Sequence, residues 1–400
     1  MNLKEGYPYW LIKSGLPVNY PKLDHVLKTE VLIIGGGISG ALSAWFLTMA
    51  GVECTVVDAR TIGMGSTCAS TSLLQYELDK PLCELSKIIG DKKANRVYTM
   101  CYEAIDGLNS ISKKIKFNEF ENHNSLYFAA EKQDINLIER EYKARMEAGI
   151  KVELLDKKDI KKLYEFSAPA AILSSQGAIT NAYMYTHALH KSAMAKGLKV
   201  YDRTRITSKR YKKDGVQLNT KQGYTIHAKK VINATGYEVT EFINKKIVKL
   251  QSTYALASEN IREPQPVWKT GVMLWNTAKP YLYMRLTSDN RVIIGGRDEN
   301  FYDPEARDKM LKNKTRLLAK DFMKLFPSIE LIPEYSWTGT FGSTKDSLPY
   351  IGTYSKTPHT YYALGFGGNG IVFSFLAAEI IRDMILGKPN KDSSLFSFDR

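Results

Sequence analysis

The hexapeptide Gly35-Gly36-Gly37-Ile38-Ser39-Gly40 carries the spacing G-x-G-x-x-G, and Asp58 closes the next apolar run, Cys54-Thr55-Val56-Val57. Residues of these types at these intervals can hold the diphosphate and ribose of a dinucleotide. Gly35 permits a tight turn, Gly37 lets backbone approach a pyrophosphate, and Gly40 lets the helix after it pack close to the strand before it. Ile38 and Ser39 open that helix, whose N–H groups and partial positive charge would face the phosphates. Asp58 can accept from a ribose 2′-OH. The elements needed to position them are legible too. Glu30–Ile34 is a β-branched run suited to a buried parallel strand, Ile38–Ala50 a helix ended by Gly51, and Cys54–Val57 a returning strand. A strand–helix–strand unit that binds nothing has the same glycines, but Asp58 at the second strand's end argues for a nucleotide. Val31 to Val52 is uncharged, yet the glycines and polar Ser39, Ser43 and Thr48 argue against a membrane span.

Further small-residue segments lie far along the chain. Ile62–Thr67 is followed by Thr71, Ser72 and Leu73; Lys230–Asn233 is a strand running into Ala234-Thr235-Gly236; and Gly365–Gly370 opens a helix from Ile371 to Leu386. Tyr281, Tyr283 and Arg285 alternate with Leu282, Met284 and Leu286, so one strand face is aromatic and cationic and the other apolar. The six histidines show no metal spacing or triad order, and Cys54, Cys68, Cys83 and Cys101 have no C-x-x-C pair, so no metal site is assigned.

Gly35–Gly40 with Asp58-Ala59-Arg60, then Ile62–Thr67, Val231–Tyr237, and Trp337–Gly352 with Gly365–Phe375 together resemble the FAD-dependent amine and amino-acid oxidoreductases of the D-amino-acid oxidase type. That group includes glycine oxidase, sarcosine oxidase and γ-glutamylputrescine oxidoreductase, and the resemblance covers nearly the whole chain. It implies an α/β fold: a discontinuous Rossmann-like FAD-binding domain from residues 1–80, 150–240 and 335–400. A mixed-sheet α+β substrate domain, residues 81–149 and 241–334, is inserted into it.

The resemblance also implies roles for particular residues. Gly65, Ser66 and Thr67 would lie along the pyrophosphate, with Thr71, Ser72 and Leu73 continuing towards the flavin; the same residues also suit a plain turn. Ala234, Thr235 and Gly236 would pack against the nucleotide, and Ile206 would offer backbone to adenine. Gly367, Gly368, Asn369, Gly370 and Ile371 would aim a helix N-terminus at the flavin pyrimidine ring, stabilising the charge it gains on reduction. Substrate-wall candidates are Tyr254, Tyr283, Arg285, Trp337 and Phe341. Arg285 could grip a carboxylate or be structural, and Tyr254 and Trp337 could equally be core aromatics.

One departure matters. Relatives that oxidise α-amino acids carry Leu-Arg-Pro where this chain has Thr340-Phe341-Gly342, ahead of Thr344-Lys-Asp346-Ser-Leu-Pro349-Tyr-Ile-Gly352. The missing arginine points towards amines and γ-glutamyl amines. No cysteine or histidine stands where relatives attach flavin covalently, so noncovalent FAD is expected. The implied reaction is hydride transfer from a C–N bond to flavin N5, giving an imine that hydrolyses, with no general base demanded. Oxygen, a quinone or a redox partner could reoxidise the flavin. A hydroxy-acid or glycerol-phosphate dehydrogenase, a tRNA-modifying flavoenzyme and a noncatalytic FAD-binding subunit remain open.

The chain has 400 residues and a net charge of +14. Its lysines are spread along it, with clusters such as Lys157-Lys158 and Lys161-Lys162, and no dedicated RNA module stands beside them, so a nucleic-acid partner is not expected. Charges at Lys4, Glu5 and Lys13 interrupt any apolar leader, which favours a cytoplasmic home. Residues 1–28 read as an arm lying on the protein's own body. Helices are expected at Pro81–Lys116 (two), Asp134–Ala148, Lys158–Tyr164, Thr186–Lys196 and Arg307–Phe326. Strands are expected at Ser125–Ala129, Val152–Leu155, Lys199–Tyr201 and Thr360–Leu364, in a hairpin around Gln222-Gly223, and across 250–300, where Trp268, Trp275, Tyr281 and Tyr283 suggest a sheet that buries aromatics.

Overall fold

A computed structural model describes all residues except 165, 242, 244–246 and 262–270, so Trp268 lies outside the described residues. The fold is α/β, built on two large sheets and a small one. In the first, the strands run in the order Ile206–Lys212, Gly215–Thr220, Thr225–Asn233, Leu27–Ile34, Cys54–Val57, Lys199–Tyr201; Thr360–Leu364 joins Thr225–Asn233 and carries Tyr350–Thr353 beside it. Leu27–Ile34 pairs in parallel with both its neighbours, placing Ile34 beside Asn233 and Val57. Covered on both faces, its last four residues are all buried.

The helix Ile38–Met49 is apolar nearly all round because it is buried all round, wedged between the helices Ala182–Met194 and Gly370–Ile385. Among the described residues no helix is long and apolar enough to cross a membrane.

The second sheet has the order Pro333–Ser343, Lys249–Ser258, Val292–Glu299, Tyr283–Leu286, Met273–Asn276, Ser125–Phe128, Ala170–Ser174, Glu153–Asp156. Glu153–Asp156, Ala170–Ser174 and residues 335–343, expected with the nucleotide-binding part, are strand residues of this sheet. Antiparallel pairing beyond the nearest hairpin is what the sequence does not announce. Leu73–Gln75, Gly177–Thr180 and Phe120–Asn122 form the small sheet between the two.

The N-terminal arm lies on the body as expected, by strand addition: Thr338 and Thr340 donate N–H to the carbonyls of Glu5 and Leu3, and Tyr7 donates to Ser336, all at 2.9 Å. Gly6 is required there, because a Cβ would stand 2.4 Å from the Ser336 carbonyl and φ is +85°. The arm then turns through a short helix, Tyr9–Ser14, that buries Tyr9 and Trp10.

Candidate functional site

The two large sheets enclose one cavity of about 310 Å³, far more than the 10–15 Å³ or so that one water needs. Its floor is the glycine loop. A Cβ on Gly40 would lie 1.8 Å from the Gly35 carbonyl, one on Gly35 2.4 Å from Ala234, and one on Gly37 2.8 Å from Thr67 Oγ1. Gly40 is thus outside the wall and does the packing expected of it, while Gly35, Gly37, Ile38 and Ser39 line the cavity. Thr67 Oγ1 accepts from the Ile38 amide at 3.0 Å, and Ser39 Oγ meets Ser374 Oγ at 2.7 Å, tying two helix N-termini together.

Asp58, Ala59 and Arg60 line the same end with Ile206, Ala234, Thr235 and Gly236. Asp58 accepts from the Gly36 amide at 2.6 Å and from the Arg60 amide at 2.8 Å. Burial lifts its carboxyl to about 6 against the pull of those amides. Arg60 is held by Glu238 at 2.7 Å. Gly65, Ser66, Thr67, Thr71 and Leu73 also reach the cavity. Glycines at every close approach, two helix N-termini and a carboxylate at the strand end fit a dinucleotide diphosphate and ribose.

The opposite end is lined by Gly367, Gly368, Asn369, Gly370, Ile371, Tyr283 and Phe341, by Tyr281, set by alternation on the same face as Tyr283, and by Asp79, Trp275, Thr253 and Asp298, which sequence reasoning did not place there. Asp79 accepts from the Gly368 amide at 3.0 Å and from the Tyr281 hydroxyl at 2.9 Å. The glycine cluster is needed for that approach: a Cβ on either Gly367 or Gly368 would meet an Asp79 oxygen at 2.5 Å. One helix-terminal amide expected to face a ligand is therefore already taken by a carboxylate. Asn369 Nδ2 clamps the same segment by donating to the Gln75 and Glu77 carbonyls at 3.0 and 2.7 Å.

Asp298 is the penultimate residue of the strand Val292–Glu299, whose Gly295-Gly296 pair is the available signal. Glycine inside a strand marks a close approach, and here the Tyr283 ring lies where a Gly295 Cβ would be. Burial raises the Asp298 carboxyl to about 6, and its Oδ1 is buried without a hydrogen-bond partner. Asp79, in the irregular segment before Pro81, had no comparable signal.

Four expected contacts lie elsewhere. Arg285 is buried away from the cavity, its Nη1 donating to the carbonyls of Ser72 and Thr180 at 2.9 Å, with its guanidinium over the Trp10 ring. Ser72, at φ +60°, turns its hydroxyl to Ser70 and the Ala182 amide. Trp337 is a positioning residue: its indole N–H holds the Ala69 carbonyl at 2.8 Å, as Trp10 holds that of Ser70 at 2.7 Å, fixing a lining loop from behind. Tyr254 faces the helix Pro304–Leu325, its hydroxyl towards Met310 Sδ. Alternation put these side chains on the right strands, but which sheet face meets the cavity is a tertiary fact. Among the described residues no group of three or more His, Cys, Asp or Glu is gathered to hold a metal.

The family model for FAD dependent oxidoreductases, named DAO, matches residues 30–384. The chain is 23% identical over 391 residues to a probable oxidoreductase, OrdL, of Haemophilus influenzae, covering 95% of this chain and 88% of that one. It is 22% identical over 387 residues to the gamma-glutamylputrescine oxidoreductase of Escherichia coli, with the same shares of 95% and 88% covered. Among solved structures, glycine oxidase from Geobacillus kaustophilus superposes with a TM-score of 0.79 at 20% identity, covering 94% of this chain and 99% of that one. With the glycine-floored crevice and the match over most of its length, this chain belongs to the DAO family and is an FAD-dependent oxidoreductase.

Proposed function

We propose that the protein oxidises the C–N bond of an amine or amino-acid derivative, releasing an imine that water hydrolyses. The carrying observation is the continuity of the cavity from the glycine loop to an aromatic and acidic chamber. In this reading Gly35, Gly37, Ile38, Ser39, Gly65, Ser66 and Thr67 hold the diphosphate of noncovalent FAD, Asp58 its ribose, and Ile206 with Ala234, Thr235 and Gly236 its adenosine part. Thr71, Leu73 and the Gly367–Ile371 turn flank the ring. FAD supplies a two-electron acceptor for the substrate's hydride.

The chain's own residues do the rest. Tyr281 and Tyr283 form one wall and Phe341 another, limiting water and fixing the C–H to be broken. Asp79, held by Gly368 and Tyr281, fixes the loop at the helix start. The similar glycine oxidase and gamma-glutamylputrescine oxidoreductase are both named for amino compounds, which supports this reading. The acidic lining of the chamber weighs against a hydroxy-acid or glycerol-phosphate substrate, because an anion there would meet Asp79 and Asp298.

The test is anaerobic mixing of the yellow protein with amines, N-methyl amino acids and γ-glutamyl amines. Loss of the visible flavin band with some member is expected. If dithionite bleaches the protein and no amino compound does, the proposal falls.

A further inference from the structure

Resting on that oxidative reading, we propose that the substrate is an alkylammonium compound without an α-carboxylate, received by Asp298 among the rings of Trp275, Tyr281 and Tyr283. The first argument is the accounting of charge. Among the described residues lining the cavity the only cations are Arg60 and Arg205, and both stand at the Asp58 end, where Arg203 and Thr204 bond the Arg60 and Asp58 carbonyls. Arg285, which could have gripped a carboxylate, is spent on two carbonyls outside the cavity. Lys314, the cation nearest Asp298 in electrostatic terms, is paired to Glu299 at 2.5 Å. A substrate carboxylate in this chamber would meet two carboxylates and no described counter-charge.

The second argument is an under-satisfied carboxylate in the chamber wall. Asp79 already takes two hydrogen bonds, but Asp298 Oδ1 is buried with no partner while the residue lines the chamber. A carboxylate with one oxygen unpartnered keeps its negative charge poorly compensated, and a cation entering the chamber beside it supplies the missing counter-charge. Its raised carboxyl, at about 6, is still ionised at neutral pH and gains most from a cation.

The third argument is the shape and character of the wall. Trp275 stacks on Tyr127 at 3.9 Å and meets Tyr281 edge-on at 6.3 Å, and Tyr281 lies 5.7 Å from Tyr283. Rings presented side by side next to a carboxylate favour ammonium over neutral or anionic groups. Phe341 offers an apolar surface for the carbon chain.

The experiment has two arms on the FAD-loaded protein. In one, matched pairs that differ only by the α-carboxylate, such as n-butylamine against D- and L-norvaline, are mixed anaerobically and the rate of flavin bleaching is read. The amine is expected to reduce the flavin at least ~100-fold faster. In the other, tert-butylammonium, which keeps its N–H donors but has no hydrogen on the carbon bonded to nitrogen and so cannot be oxidised to an imine, is titrated by calorimetry against wild type, Asp298→Asn and Asp298→Ala, with flavin content and melting temperature checked for each. Both variants should bind it at least ~10-fold more weakly. Norvaline reducing the flavin as fast as butylamine, or undiminished cation binding in both folded variants, overturns the proposal. Failure of every amino compound to bleach the flavin, with the cation still bound through Asp298, would instead overturn the oxidative reading.

Discussion

The Nε2–H of His190, on the buried face of the helix Ala182–Met194, donates to the carbonyl oxygen of Gly36 at 3.1 Å, so a side chain from a distant helix fixes the middle of the glycine loop. Burial lowers the imidazole to about 4, and Nδ1 has no partner. Because the folded value lies below the ordinary 6.5, the unfolded chain takes up a proton first, and stability falls as pH drops from about 6.5 towards 4. Asp58 and Asp298, raised to about 6, act in the opposite direction. The quantity to measure is therefore a difference. Between pH 7 and pH 5 the wild type should lose about 2 kcal/mol more than His190→Gln in urea unfolding. Parallel curves would remove this histidine from the acid response.

Gly37→Val should abolish FAD retention. The first added carbon already stands 2.8 Å from Thr67 Oγ1, whose hydrogen bond to the Ile38 amide sets the helix start. The purified variant should be colourless yet fold with near-native circular dichroism. Retained yellow colour would contradict the placement of the diphosphate.

Arg285→Met should act on stability and leave substrate affinity alone. The change removes a buried donor from the Ser72 and Thr180 carbonyls, of which that of Ser72 keeps the Thr180 amide at 3.3 Å, a loss of about 1–3 kcal/mol. A lower melting temperature with KM changed less than about twofold is expected. A large rise in KM at unchanged stability would return Arg285 to the substrate wall.

Asp79→Asn should make the bound flavin easier to reduce. A carboxylate on the Gly368 amide opposes the positive end of the helix Gly370–Ile385, and its neutral replacement keeps the shape while removing that charge. The midpoint potential should rise by roughly 10–20 mV in a dye-coupled titration. A fall would place the flavin ring away from this turn.

The first sheet and its helix were legible because their signals are local. A β-branched run, glycines at fixed offsets and a terminal carboxylate predicted Cys54–Val57, Lys199–Tyr201 and Thr360–Leu364 with the ends later found. Two helices start a turn earlier than hydrophobic periodicity places them, because a side-chain cap sets the start. Asn181 accepts from Met184 and Asp303 from Ala306, so those helices begin at Ala182 and Pro304, ahead of the expected Thr186 and Arg307. The chamber was the least legible part. Asp79, Trp275, Tyr281 and Asp298 come from segments up to about two hundred residues apart; pairing across the second sheet brings the segments of Trp275 and Asp298 together, and Asp79 joins them through the Gly368 amide and the Tyr281 hydroxyl. Arg285 looked functional because an arginine beside tyrosines on a strand is chemically suggestive. Its actual partners are carbonyl oxygens, a type of contact that no side-chain pattern encodes.

The pairing of Leu27–Ile34 with Thr225–Asn233, and of that strand with Thr360–Leu364, has a consequence for biosynthesis. The glycine loop leaves the ribosome early, but its inner flank waits for the strand near residue 230 and its far lip for the turn at Gly367–Gly370. Prosthetic-group loading thus waits until that turn has been made, and polypeptides released prematurely before it would be born without a complete berth for the group.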